Sequence, residues 1–170
     1  MAIALALAGC AASSAPQTVF NTNDFPVGST YTLGSLSVPE DAQYPLVVTK
    51  IEVLRTEGVR VLGARAHNPS SDGWIGLIPS WDPAGLGGEA REPGPDSAPF
   101  TAGPVALVVG IETQADRSGL RGLRATWRDA AGAEHSTQFD LAVVTCAPGV
   151  CAAGEDEQLV RELGLLTPGR

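Results

Sequence analysis

Cys10 has the most distinctive chemistry in the chain, because it closes the sequence L-A-G-C at residues 7–10. A thiol preceded by two small residues and an apolar one is typical of a lipobox, where bacteria acylate a cysteine and cleave the chain before it. Residues 3–7 are apolar and uncharged, and residues 11–16 are small and suited to a flexible tether. The pattern therefore predicts export and lipid attachment at Cys10.

Residues 1–9 are interpreted as a truncated lipoprotein signal segment. A complete signal has a basic start and a longer apolar core, whereas none of the nine residues before Cys10 is basic. Three explanations stay open: a start codon placed too late, a sequence trimmed at its N-terminus, or an accidental L-A-G-C on a soluble cytosolic domain. A basic, in-frame upstream extension would support the signal.

Two further thiols, Cys146 and Cys151, flank a proline–glycine turn in the sequence C-A-P-G-V-C. In an oxidising compartment such close cysteines pair, so we predict a Cys146–Cys151 disulfide. The spacing is not that of a C-x-x-C redox motif. A metal site is disfavoured because the chain has only two histidines, His67 and His135.

Catalytic motifs are not found: the sequence has no G-x-S-x-G, no H-E-x-x-H and no phosphate-binding loop. We therefore predict no catalytic residue, no metal and no cofactor. The alternative is an envelope enzyme or enzyme accessory, using His67 or His135 with nearby carboxylates. The acidic pair at residues 40–41 and the acidic run at 155–157 are interpreted as solvated caps.

Trp74 and Trp81 lie in a segment, residues 67–104, that is rich in proline and glycine and lacks strand periodicity. They are candidate contacts for a ligand or a partner, because exposed aromatic residues often mark binding sites. The alternative is that they plug the edge of the fold and anchor this long loop. We favour the plug for Trp81, which stands between Pro79 and Pro83, and leave Trp74 undecided.

The overall charge of the 170-residue chain is −8. An acidic balance argues against binding of nucleic acid and against a polybasic contact with anionic lipid. After Cys10 no apolar stretch is long enough for a transmembrane helix. The lipid on Cys10 would then be the membrane attachment.

The elements that must position these residues are mostly strands. Residues 10–30 are predicted to be a lipidated tether, 31–151 a β-sandwich domain, and 152–170 an amphipathic helix and tail. Strands are predicted as follows: 31–38 with a kink at glycine 34, 46–54 and 59–66 as a hairpin, a short one at 74–78, 105–113 as a central strand, and 123–128 and 135–143 joined by a four-residue loop. Residues 117–119 are predicted to form a turn.

Alternation assigns faces to three of these strands. In 46–54 one face is expected to carry Val47, Thr49, Ile51 and Val53, and the solvent-facing side Lys50 and Glu52. In 123–128 the expected buried residues are Leu123, Ala125 and Trp127, and the solvated ones are Arg124, Thr126 and Arg128. His135 falls on the inward face of the last strand, where we expect burial or a hydrogen-bonded edge position and not catalysis. The loop between the last two strands, residues 129–132, ends in a glycine.

The helix prediction comes from a change of period near the C-terminus. Leu159, Val160, Leu163 and Leu166 fall on one helical face, and Gly164 suits the position after the last turn. Because the polar face is acidic, the apolar face is expected to dock on the sandwich and not on lipid.

About seven alternating strands predict an all-β fold, an antiparallel immunoglobulin-like β-sandwich with a short C-terminal helix. In this layout, with its L-A-G-C motif, the chain resembles the secreted lipoproteins of GC-rich Gram-positive bacteria, a resemblance that carries over no activity. We expect a lipid-anchored module at the extracellular face of the cell membrane that binds an envelope protein or a glycan.

Overall fold

Eight strands and one helix are present in the described part of the chain, which in this computed structural model comprises residues 18–23, 25–39, 41–68, 77–86, 90–147 and 155–165. In chain order they are β1 (Thr18–Asn23), β2 (Thr30–Ser37), β3 (Val47–Glu57), β4 (Val59–His67), β5 (Leu77–Ile78), β6 (Ala106–Thr113), β7 (Arg117–Arg128), β8 (Glu134–Cys146) and α1 (Glu155–Glu162).

The strands form two four-stranded sheets. Sheet A has the order β1-β8-β7-β3, and sheet B has the order β4-β6-β2-β5. If β2, β3, β4, β6, β7 and β8 are labelled B to G, these orders become G-F-C and D-E-B, the arrangement of an immunoglobulin-like sandwich. The predicted all-β antiparallel sandwich is confirmed, and β1 and β5 are the additional edge strands.

The core lies between the sheets and follows the alternation of side chains along each strand. Trp127 on β7 is 6 % exposed and packs in one cluster with Val48 of β3 and Leu107 of β6. A second cluster joins Tyr31 and Leu123, again from opposite sheets. The core position predicted for Trp127 is therefore confirmed, and β6 is a central strand as expected.

The predicted β3–β4 hairpin is wrong, because the two strands belong to different sheets: β3 pairs with β7, and β4 pairs with β6. The only residue between them is Gly58, whereas the tightest common hairpin loops contain about two residues. Gly58 has φ +61°, and a Cβ there would lie 3.0 Å from the Cβ atoms of Ala115 and Ser118. A glycine is thus required where the chain crosses between sheets.

The predicted tether is also corrected, since residues 18–23 within it form β1. This strand pairs in parallel with β8, from Thr18 opposite Leu141 to Asn23 opposite Cys146. The prediction missed it because the segment is polar, whereas pairing at a sheet edge is made by backbone groups of any residue type. The sandwich therefore begins before Tyr31.

Two smaller corrections concern β7 and β3. Residues 117–119, predicted as a turn, are the first three residues of β7, and Ser118 is fully buried. In β3 the predicted inward face included Val47 and Thr49, but a register shift between Val48 and Lys50 instead buries Val48. An extra residue in one strand reverses the faces of everything before it.

Helix α1 docks on the outer face of sheet A, as expected from its acidic polar face. Leu159, Val160 and Leu165 are buried there against β8. Gly164 (φ +65°) donates from its backbone N to Arg161 O, and Leu165 N donates to Val160 O, which together form a Schellman motif. The predicted capping role of Gly164 is confirmed, while position 166 lies outside the described residues.

Candidate functional site

Three of the residues predicted to be functional, Cys10, Trp74 and Cys151, lie outside the described residues, so their roles stay predictions. Cys146 is described: it ends β8, is 8 % exposed, and lies in the cluster that packs under α1. The end of β8 therefore lies under the helix that covers this part of sheet A.

Trp81 lies on the outer face of sheet B. A Cβ on Gly110 would fall 2.5 Å from Cε2 of the indole, and one on Gly63 would fall 3.5 Å from Cζ2. These glycines are paired neighbours on β6 and β4, so the indole rests on a floor without side chains. The hydroxyl of Thr32 donates to Ser80 O at 2.6 Å, which ties the loop to the same face. Trp81 is half-buried, which suits an anchor and leaves part of the ring for a partner.

The two histidines do not share a site. His67 ends β4 in sheet B, is 2 % exposed, and lines neither of the two cavities described below. Burial lowers the pKa of its imidazole, with a smaller opposing effect from the backbone of Asn68. His135 is the second residue of β8 in sheet A, and its side chain is 46 % exposed. The hydrolase alternative therefore cannot use them together in either cavity.

A groove of about 710 Å³ runs over the outer face of sheet A, and we call it the polar groove. Strands β3, β7 and β8 build it by contributing one side chain each to two neighbouring rows. The first row is Glu52, Arg124 and Gln138, and the second is Lys50, Thr126 and Ser136. Thr49, Glu134 and His135 complete the lining.

The charges in the polar groove are balanced. Lys50 Nζ lies 2.6 Å from Glu52 Oε1, so this cation and this carboxylate offset each other. Arg124 donates to Gln138 Oε1 at 3.4 Å, and Glu134 supplies the second carboxylate. Each row thus offers both hydrogen-bond donors and acceptors, at the spacing of about 4.8 Å between neighbouring strands.

A second cavity of about 290 Å³, the end pocket, opens beside the β7–β8 loop, at what we call the hairpin end of the sandwich. It shares His135 and Ser136 with the polar groove and is otherwise lined by Pro39, Asp41, Ala42, Gln43, Trp127 and Asp129. The two cavities therefore adjoin at the start of β8.

His135 is held firmly where the cavities meet. Its ring stacks on Trp127 with centroids 5.8 Å apart and an interplanar angle of 20°. Its Nε2 is hydrogen-bonded to Asp129 Oδ2 at 2.7 Å. Of the two positions expected for His135, burial or a hydrogen-bonded place at the edge of the fold, the structure shows the second. The stacked ring presents a fixed planar surface beside polar groups.

Asp129 organises the loop behind His135. Its Oδ1 accepts from the backbone N of Ala131 at 2.8 Å and of Ala133 at 3.0 Å. The hydrogen bond from His135 is the main reason that the pKa of the Asp129 carboxyl lies below its usual range, and the two backbone bonds act in the same direction. Gly132 has φ +82° in the loop, as its predicted turn role requires, but the loop comprises the five residues 129–133 and not the four predicted.

The His135–Asp129 pair resembles part of a catalytic triad, but the neighbouring hydroxyl is on the wrong face. Ser136 pairs with Thr126, whose side chain faces the groove, while His135 pairs with Trp127. Successive side chains in a strand point to opposite faces, so Ser136 does not extend this pair into a nucleophile–base set. Among the described residues no group of His, Cys, Asp and Glu is arranged to hold a metal ion.

Within the same described ranges, no helix has the length and apolar character needed to cross a bilayer. No protein-family description, curated protein or solved structure matches the chain. The polar groove and the end pocket are therefore interpreted from their own chemistry.

Proposed function

We propose that this chain is a non-enzymatic binding module, anchored at the extracellular face of a bacterial membrane by lipid on Cys10. It holds a component of the cell envelope in the polar groove. The observation that carries the binding role is the composition of that groove: three adjacent strands display paired donors and acceptors on a rigid sheet. Such a surface can fix the orientation of a polar ligand without reacting with it.

The direction of β1 supports a role close to the membrane. Eight residue steps separate Cys10 from Thr18, so an extended chain between them reaches at most about 28 Å. Since β1 is parallel to β8, the first residue of β1, Thr18, is at the end of the strand that faces the hairpin end, where the polar groove meets the end pocket. A lipid on Cys10 would therefore keep the two cavities within a short distance of the bilayer.

Lipidation is the first test. Expressed in its host behind a complete signal, the protein is expected to enter the detergent phase and to carry acyl mass on Cys10. The Cys10→Ala variant is expected to lose the acyl mass and to be released or to stall as a precursor. Phase partition and mass spectrometry measure both. An unmodified Cys10 on a soluble native protein would instead support the cytosolic alternative.

We also propose the Cys146–Cys151 disulfide, which agrees with the position of Cys146 at the end of β8. In exported protein, alkylation is expected to label these two thiols only after reduction. Changing both to serine is expected to cost about 2 kcal/mol or less, because the closed loop is small. Two thiols that react in native, unreduced protein would contradict both the bond and the export.

One contact favours an envelope hydrolase as the second candidate, namely the His135–Asp129 hydrogen bond in the end pocket. A hydrolase would release soluble fragments when incubated with envelope fractions, and His135→Ala would stop the release. A binding module retains the envelope component unchanged. The absence of release, together with retention on the envelope fraction, would decide for binding.

A further inference from the structure

We infer that the polar groove, with His135 at its end, binds an extended, uncharged saccharide chain. The inference rests on the proposed binding function and gives its ligand a chemical class. Two groups of observations carry it, the charge balance of the groove and the fixed ring where the cavities meet.

The charge balance excludes a ligand that needs a surplus of one sign. The two cations of the groove, Lys50 and Arg124, are matched in number by Glu52 and Glu134. The whole chain carries −8, so its field opposes polyanions such as phosphate-rich polymers. Because cations and carboxylates are equal in number there, the groove itself carries no net charge that would select a cationic ligand. An uncharged ligand rich in hydroxyl groups satisfies both donors and acceptors there.

The placement of the groove on a sheet face argues against a peptide in extended form. Strand addition uses backbone groups at a sheet edge, and the edge of sheet A next to the groove lies on the outer side of β3. The groove instead lies over the face of the sheet, above β7, whose backbone is paired on both sides with β3 and β8. The side chains that line the groove are polar and provide no apolar pocket for a helix. A saccharide needs only hydrogen bonds from planar polar side chains, such as Arg124 and Gln138, and a flat ring.

His135 supplies that flat ring. Its imidazole is fixed between Trp127 and Asp129, so little side-chain freedom is lost when a ligand packs on it. His135 lies where the polar groove adjoins the end pocket, so a saccharide chain that follows β8 along the groove would contact it. The C–H face of a sugar unit at the start of β8 packs on the imidazole, while hydroxyls of the following units along the strand bond to Ser136 and Gln138.

The test uses the full chain in two forms, acylated in detergent micelles and unacylated as Cys10→Ala. Each is titrated by calorimetry with short linear oligomers of glucose, galactose, mannose and N-acetylglucosamine, and with inorganic polyphosphate. At least one neutral oligomer is expected to bind both forms, and polyphosphate is expected not to bind. Vesicles bearing a glycolipid with the same sugar provide a further comparison.

Matched arginine variants connect binding to the groove. Arg124→Ala is expected to lower the affinity for the oligomer by about tenfold, which is the loss typical of one charged hydrogen bond. His135→Ala is expected to lower the affinity by a similar factor. Arg60→Ala is the control, because Arg60 is also an exposed strand arginine with a side-chain partner, the Glu112 carboxylate, but lies on sheet B. Its binding is expected to equal that of the unmodified chain.

Several results would overturn the inference: no neutral oligomer binds, polyphosphate binds more tightly, Arg124→Ala and Arg60→Ala behave alike, or only glycolipid vesicles are bound. The anchoring can fail separately. If Cys10 is unmodified in the host but the oligomer still binds, the saccharide site stands and the membrane anchor falls. If Cys10 is acylated but no sugar binds, the anchor stands and the saccharide site falls.

Discussion

Replacing Arg121 by alanine is expected to lower the free energy of unfolding by about 3 kcal/mol. Arg121 is 2 % exposed on β7, and its Nη2 donates to Asp140 Oδ1 at 2.7 Å. Its Nη1 donates to the backbone oxygen of Leu165, just after the helix. The substitution removes all of these bonds and leaves the Asp140 carboxylate without this cation. The effect is at the lower end of the usual range because Asp140 is 32 % exposed and remains partly hydrated.

The loss should be greatest where the tail meets the sheet. Hydrogen exchange is expected to become faster in α1 and around Leu165, while chemical denaturation measures the change for the whole domain. Arg124→Ala is the control on the same strand: its side chain is exposed, so the stability should change by less than about 0.5 kcal/mol. Equal effects of the two variants would mean that the buried arginine does not hold the tail.

Adding one methyl group at Gly110 is expected to cost about 3 kcal/mol. Alanine is normally better than glycine within a strand, so the expected sign is the reverse of the intrinsic preference. The reason is the indole of Trp81, which occupies the space of the new Cβ. Chemical denaturation measures the cost, and tryptophan fluorescence is expected to shift as the ring is displaced.

A double-mutant cycle tests this contact directly. Trp81→Ala alone is expected to cost about 2 kcal/mol, because the half-buried ring anchors its loop to sheet B. In the Trp81→Ala background, Gly110→Ala should cost less than about 1 kcal/mol. Gly94→Ala is the control, since a Cβ there meets nothing within 4 Å. A cost below about 1 kcal/mol for Trp81→Ala would indicate a platform for a partner and not a plug.

Local patterns in the sequence were sufficient for the features that depend on few neighbouring residues. The alternation from Leu123 to Trp127 predicted the buried face of β7, and the glycines at 132 and 164 predicted a loop and a helix end. In each case the residue type is restricted by its own backbone angles or by the period of its element. Interactions within a few residues decide such features.

Strand pairing could not be predicted in the same way. The alternation correctly placed Lys50 and Glu52 on a solvent-facing side of β3, and Arg124 and Thr126 on that of β7. The prediction nevertheless paired β3 with β4 and not with β7. The polar groove depends on β3 lying beside β7, which is separated from it by sheet B strands in the sequence. One glycine at position 58 decides whether the chain turns back or crosses to the other sheet, and its residue type fits both.

The parallel β1–β8 pairing has a mechanical consequence. A force that pulls Thr18 outward, past the hairpin end, acts along the axis of β1. Its hydrogen bonds to β8 run across that axis, so the six paired positions resist together in shear and do not open one after another. The load passes into β8, which is braced by β7 on one side and by α1 on its outer face. If the domain is tethered through the start of β1, as proposed, this pairing would load the β1–β8 hydrogen bonds in shear.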